Sequence, residues 1–228
     1  MIKIVAATTK SEKKFLSAAP LGISLARLAG DQRVEGRICC GNTGAARKGL
    51  PAIFNRQIES AEADSILVFT HDDVWLDDFF LADRLADALE RFEIVGVAGN
   101  RRVLPHQPAW AFVDTEFTWD DPIHLSGAVA HGEKAFGSIA FYGPAPASCE
   151  LLDGVFLAVK ASVLARSKLR FDERFRFHFY DLDFCREARR LGLRLGTWPI
   201  ALTHASGGTF DSRAWSAGRR VYFDKWKS

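Results

Sequence analysis

Cysteine is scarce in this 228-residue chain, and its four copies exclude a disulfide-built scaffold. Cys39 and Cys40 are adjacent, Cys149 and Cys185 stand alone, and none has the spacing of a zinc or redox motif. Net charge is nearly absent at +2, too little to argue for nucleic acid as a partner. Apolar runs long enough to cross a bilayer, about 18 residues, are missing, so no transmembrane segment is expected. The first residues, Met1 to Ala7, lack the long apolar region and cleavage site of a secretory signal, and a cytoplasmic protein is expected. No repeat or low-complexity segment breaks the chain. What is present suits one globular domain over residues 1–228, with enough apolar sequence for one sizeable core.

The periodicities alternate between strand and helix. Strands are predicted over 2–7, 34–40, 66–70 and 94–98. Helices are predicted over 11–28 (N-capped by Ser11, kinked at Pro20 and Gly22), 51–63 and 78–92, the last with Phe79 and Phe80 on its apolar side. That order predicts an α/β fold with a mixed, mainly parallel central sheet flanked by helices. Residues 99–146 then become rich in Pro, Gly, His and Trp. A long irregular insert of this kind is more often functional than idle. Strand returns over 149–159 with Gly154 inside it, followed by a helix at 161–165, a turn at 171–175, a helix over 183–191 and a last strand over 194–202.

Three polar clusters close apolar runs. The run Ile66-Leu67-Val68-Phe69-Thr70 ends in His71-Asp72-Asp73, where a parallel sheet gathers its ligands, outside the carboxyl ends of its strands. Two carboxylates and an imidazole there would suit a divalent cation and, through it, a phosphate; a turn with a helix cap is the plainer reading. Tyr180-Asp181-Leu182-Asp183 is the second cluster, in which Asp181 could be a helix N-cap and Asp183 could favour the positive helix end. His204, after the last strand, is the third. Trp110, Trp119 and His124 in the insert could stack on a sugar or pack the insert onto the sheet. The basic, aromatic tail from Arg213 to Lys227 could cover the core, contact an anionic ligand or meet another subunit in a homo-oligomer.

Taken in order, these segments resemble family 2 glycosyltransferases. Residues 66–74 resemble the strand and Asp-x-Asp motif, residues 152–160 the acceptor-side strand, and Phe171-Asp172-Glu173 the Phe-Asp-Glu turn. His178-Phe179-Tyr180-Asp181 resembles the catalytic segment, and His204 the late histidine. The variant is most similar to the branch named after the streptomycin-biosynthesis StrF protein. The resemblance implies a GT-A (Rossmann-like) fold, with residues 1–100 as the nucleotide-binding half and 101–228 as the acceptor-binding half. It implies transfer from a nucleotide-diphosphate sugar donor to a glycan, lipid-linked or small-molecule acceptor, with inversion and with Mn²⁺ or Mg²⁺. Carried over, Asp181 is the general base, Asp73 and His204 hold the metal, and Asn55, His71, Asp72 and Asp73 lie on the donor side. Asp153, Gly154 and Asp183 lie on the acceptor side, and Lys225 or Arg213 could close over the diphosphate. Because Asp181 opens a helix, the helix dipole is expected to keep it ionised without a raised pKa.

Two residues depart from the family pattern. His71 stands where most members have the first Asp, and Tyr180 replaces the Glu that commonly precedes the catalytic Asp. On these departures rests an alternative, a non-catalytic sugar-nucleotide or glycan-binding module on the same fold. A nucleotidyltransferase is a further alternative, but Ala6-Ala7-Thr8-Thr9-Lys10 supplies no Gly-rich phosphate loop.

Overall fold

A computed structural model of the chain describes residues 1–207 and 210–227. The first half runs β1 (Ile2–Ala7), α1 (Glu12–Ala18), α2 (Pro20–Leu28), β2 (Val34–Cys39), α3 (Leu50–Glu59), β3 (Ile66–Thr70), β4 (Val74–Leu76), α4 (Leu81–Arg91), β5 (Ile94–Gly96) and β6 (Ala98–Asn100). The second half adds β7 (Leu125–His131), β8 (Ser138–Gly143), β9 (Ala147–Cys149), β10 (Leu151–Leu152), β11 (Phe156–Lys160), α5 (Ala161–Ser167), α6 (Tyr180–Arg190), β12 (Leu195–Thr197), β13 (Leu202–His204) and α7 (Arg213–Trp226).

Local chemistry sets the first elements. The Ser11 side chain accepts from the backbone N–H of Lys14 and starts α1. The predicted kink is a full break: Ala19 is extended, and Pro20 opens a second helix at its first position. Gly22 lets α2 pack on α1, since a Cβ there would lie 2.0 Å from the carbonyl oxygen of Phe15.

A seven-stranded sheet has the order β2-β1-β3-β11-β5-β12-β9. β1 pairs parallel with β2 and β3, and β5 with β12, while β11 and β9 run antiparallel to their neighbours. The sheet is therefore mixed with most strands pointing one way, as expected. β11, from late in the chain, sits between β3 and β5, and β12 and β9 extend the sheet beyond β5, so the two halves of the sequence share one sheet.

A second, six-stranded sheet was not foreseen. It has the order β10-β6-β7-β13-β4, with β8 on β7. Three stretches predicted as single strands each divide between the two sheets. Residues 94–98 part after β5, residues 149–159 contribute to β10 and β11, and residues 194–202 part after β12. The strands on either side of each crossing are buried in both sheets, so an apolar run reads through the crossing and does not reveal a change of partner. The insert is more regular than predicted, because β7 and β8 form a hairpin within it. Its irregular part is pinned by Asp120, which accepts from Asn100 Nδ2 at 2.8 Å and Arg102 Nε at 3.0 Å.

Helix α4 also starts later than predicted. Asp78 accepts from the Phe80 N–H at 2.9 Å and holds residues 78–80 in a turn, which leaves Phe79 and Phe80 exposed and off the core. Asp181 is not an N-cap: α6 begins at Tyr180, and Phe179, in the left-handed region at φ 66°, precedes it. The core beneath this helix start is aromatic. Phe171 stacks on Phe184 at 4.0 Å and meets Phe69 at 5.0 Å, while Phe54 reaches Phe69 and Tyr180. Phe171→Ala should lower stability by about 3–5 kcal/mol in urea unfolding, because this ring has no room to be replaced by relaxation. A loss under about 1 kcal/mol would show that the cluster does not support the helix start.

Candidate active site

The carboxyl end of β3 carries the first part of the site. Thr70 Oγ1 donates to the Val155 carbonyl at 2.7 Å, tying β3 to the segment before β11. The next residues turn into the space between the sheets. His71 Nδ1 lies 3.4 Å from His204 Nε2, Asp73 Oδ1 lies 3.4 Å from His204 Nε2, and His71 Nδ1 lies 4.0 Å from Asp73 Oδ1. His204 is delivered from the end of β13, which pairs with both β4 and β7. Among the described residues, these three form the one group of this kind that could hold an ion.

The donor set fits a divalent metal. Neighbouring ligands at roughly 2.1 Å from one ion stand about 3.0–3.4 Å apart, close to two of the three separations. Two imidazoles and one carboxylate favour a transition ion over Ca²⁺. Burial, then the adjacent His204 ring, push His71 below the usual histidine pKa, which leaves the neutral form that binds metals. Burial would raise the Asp73 carboxyl, but hydrogen bonding from His204, with help from Ser206, holds it below the ordinary carboxylate value.

Asp72 turns away from this group. Its Oδ2 accepts from Thr8 Oγ1 at 2.5 Å and Lys10 Nζ at 3.1 Å, both just past the end of β1. It joins the ends of two adjacent parallel strands at the cleft floor.

Asp181 provides the second part. Its Oδ2 accepts from the Gly154 N–H at 3.0 Å. Burial, and then the charge of Asp153, raise its pKa to about 6. The expected helix-dipole effect does not prevail, because desolvation is the larger influence. Asp153 is held by the Trp110 indole N–H at 2.8 Å and the Val155 N–H at 2.9 Å. Gly154 is needed for space: a Cβ would lie 2.6 Å from the Tyr180 hydroxyl and 2.9 Å from Asp181 Cβ. The Tyr180 hydroxyl donates to the Gly154 carbonyl at 3.1 Å and lies 3.0 Å from His71 Nε2. Burial and nearby carboxylates push the Tyr180 phenol well above its ordinary pKa.

His71, Asp72, Asp73, Asp153, Gly154, Asp181 and His204 thus line one cleft of about 570 Å³. Two predicted site residues do not. Asn55 donates to the Phe171 carbonyl and accepts from its N–H, so it pins the 171–175 turn from α3. Asp183 is fully buried and accepts from Lys225 Nζ and the Trp226 indole N–H, so it anchors α7. That pairing, together with Asp172, also ties Lys225 down, away from any diphosphate. Position within a motif does not tell which way a side chain points, and these two point into packing.

One wall of the cleft is aromatic. Trp110, Phe112, Trp119 and Tyr142 come from the insert, the last of them on β8, and Phe210 and Trp215 from the chain after β13. Trp119 lies nearly parallel to Tyr142 and remains 54% exposed. His124 does not line it, and His131 and Tyr142, which do, were not anticipated. The alternation of β7 and β8 could have identified them once the hairpin was recognised.

The mixed α/β fold, a central sheet flanked by helices, matches that of GT-A glycosyltransferases. Residues 45–214 match the glycosyltransferase-like family. The chain belongs to that family. No curated protein matches it in sequence. Among solved structures it resembles the catalytic domain of Drosophila β1,4-galactosyltransferase 7 in complex with xylobiose, with a TM-score of 0.54 and 10% identity over 96% of this chain and 79% of that one. It also resembles GalNAc-T7 with UDP, GalNAc and Mn²⁺, with a TM-score of 0.53 and 11% identity over 100% of this chain and 50% of that one. At such identities the likeness is one of fold.

Proposed function

We propose that the chain is an inverting glycosyltransferase of the StrF-like branch that moves a sugar from a nucleotide-diphosphate sugar to an acceptor hydroxyl. One observation carries this reading: the His71–Asp73–His204 group and Asp181 open into the same cleft. A divalent ion such as Mn²⁺ or Mg²⁺, held by Asp73 and His204, would neutralise charge on the departing diphosphate. The ends of β1 and β3, joined through Asp72, form the donor side.

Asp181 acts as the base. A carboxylate with a pKa of about 6 is a stronger base than an ordinary aspartate and is still ionised at neutral pH. The Gly154 N–H fixes one of its oxygens and leaves the carboxylate oriented towards the cleft. A single base suffices for an inverting displacement, in contrast to the paired carboxylates of hydrolases. The acceptor is a glycan or another hydroxyl-bearing molecule, with the aromatic wall facing its apolar sugar surfaces. The four cysteines are free, as a cytoplasmic setting allows.

Calorimetric titration with a panel of nucleoside diphosphates, with Mn²⁺ and with EDTA, tests the donor side. One nucleotide should bind with Mn²⁺ and lose most of its affinity in EDTA; no binding by any of them would overturn the reading. On the acceptor side, Trp119→Ala should raise the acceptor KM roughly 3–10-fold with little change in kcat. An unchanged KM would remove Trp119 from the acceptor site.

A further inference from the structure

The two departures from the family pattern touch each other. The Tyr180 hydroxyl has one hydrogen, and the Gly154 carbonyl, 3.1 Å away, can only accept it. The other neighbour of that hydroxyl is His71 Nε2 at 3.0 Å. One assignment satisfies both contacts: the hydroxyl donates to Gly154 and accepts from His71 Nε2, which then carries the ring proton. The opposite nitrogen, Nδ1, is then bare.

That bare nitrogen points at His204 Nε2 and Asp73 Oδ1. His71 Nδ1 and the Asp73 carboxylate both offer lone pairs there, and at most one hydrogen, on His204 Nε2, lies between them. Ser206 Oγ, 3.2 Å from the same His204 nitrogen, adds another oxygen. The arrangement is electron-rich on every side.

We infer that His71 is a third metal ligand, presented through Nδ1, and that Tyr180 is the positioning residue that fixes its tautomer. This rests on the metal-assisted reading above and deepens it. The His for Asp and Tyr for Glu departures are one unit, in which an imidazole replaces a carboxylate and a phenol holds the imidazole in its metal-binding form. Tyr180 is itself held, packed edge-on against Phe54 and close to Phe171. Gly154 completes the device, because any larger residue would collide with the hydroxyl. A ligand set of two imidazoles and one carboxylate should favour Mn²⁺ and Co²⁺ over Mg²⁺, which prefers oxygen.

The test is titration of the full chain with Mn²⁺ or Mg²⁺ in the presence of UDP or GDP, with pulsed EPR to detect nitrogen coupled to bound Mn²⁺. Wild type should prefer Mn²⁺ and show two coupled imidazoles. Tyr180→Phe should lower Mn²⁺ affinity roughly 10–100-fold, the range typical when the partner behind a ligating His is lost. His71→Asp should show one coupled imidazole and a shift in preference towards Mg²⁺. In the His71→Asp background, Tyr180→Phe should change ion affinity less than about 2-fold, since no tautomer remains to be set. This last comparison holds even if Tyr180→Phe loses some stability. Wild-type Mn²⁺ affinity in Tyr180→Phe, or two coupled imidazoles in His71→Asp, would overturn the inference and leave the metal-assisted reading intact. Wild type binding neither ion would overturn both.

Discussion

Asp181→Asn should abolish sugar transfer, by roughly 10²–10⁴-fold in kcat, while nucleotide binding with Mn²⁺ stays within about 2-fold of wild type. The substitution keeps the shape of the side chain and an oxygen for the Gly154 N–H. It removes only the ability to take a proton. In wild type, kcat should rise with pH through about 6, because the base must be ionised and its carboxyl titrates there. The same shift has a stability consequence. Its folded pKa lies above that of an unfolded aspartate, so the folded state holds the proton more tightly between about pH 4 and 6. Stability from this group is therefore present at low pH and lost as pH rises through about 6. Above that pH the buried carboxylate costs up to about 3 kcal/mol. Asp181→Asn should then melt no lower than wild type at pH 8, and the comparison should move in favour of wild type below pH 4. Retained turnover in this variant would remove Asp181 as the base.

Asp73→Ala should abolish the Mn²⁺-dependent part of nucleotide binding, with a loss of at least about 100-fold. Removing a partner behind a ligand typically costs 10–100-fold, and removing the ligand itself costs more. Asp73 is the one carboxylate in the group, and hydrogen bonding from His204 and Ser206 helps to hold it ionised. Without it, two imidazoles, which bring no negative charge, would face the ion with nothing to balance its charge. Asp72→Ala serves as the contrast. Its carboxylate is engaged by Thr8 and Lys10 and is turned from the cluster, so ion affinity should fall less. Equal losses in the two variants would contradict the distinction between these neighbouring aspartates.

Much of this site could be read from residue order, and the reasons for the rest are physical. The apolar run before His71 is a strand of the main sheet, and its polar end opens into the cleft, because the carboxyl ends of such strands leave a crevice. Asp181 and His204 come to the same cleft from distant positions, as their place in the motif order suggested. The second sheet was hidden because burial looks the same whichever neighbour a strand takes. Asn55 and Asp183 were misplaced because both serve packing: one fastens a turn and the other fastens α7. The raised pKa of Asp181 was missed because its main causes, burial and Asp153, belong to the tertiary structure and not to the helix it opens. His71 looked like a loss in the motif, and only the position of Tyr180 shows what accompanies it.

The most direct test of the account is proton NMR of the product formed when the wild-type chain is supplied with its donor and an acceptor. A single base and direct displacement predict a linkage with the anomeric configuration opposite to that of the donor, and none formed by Asp181→Asn. A product that keeps the donor's configuration would contradict the account.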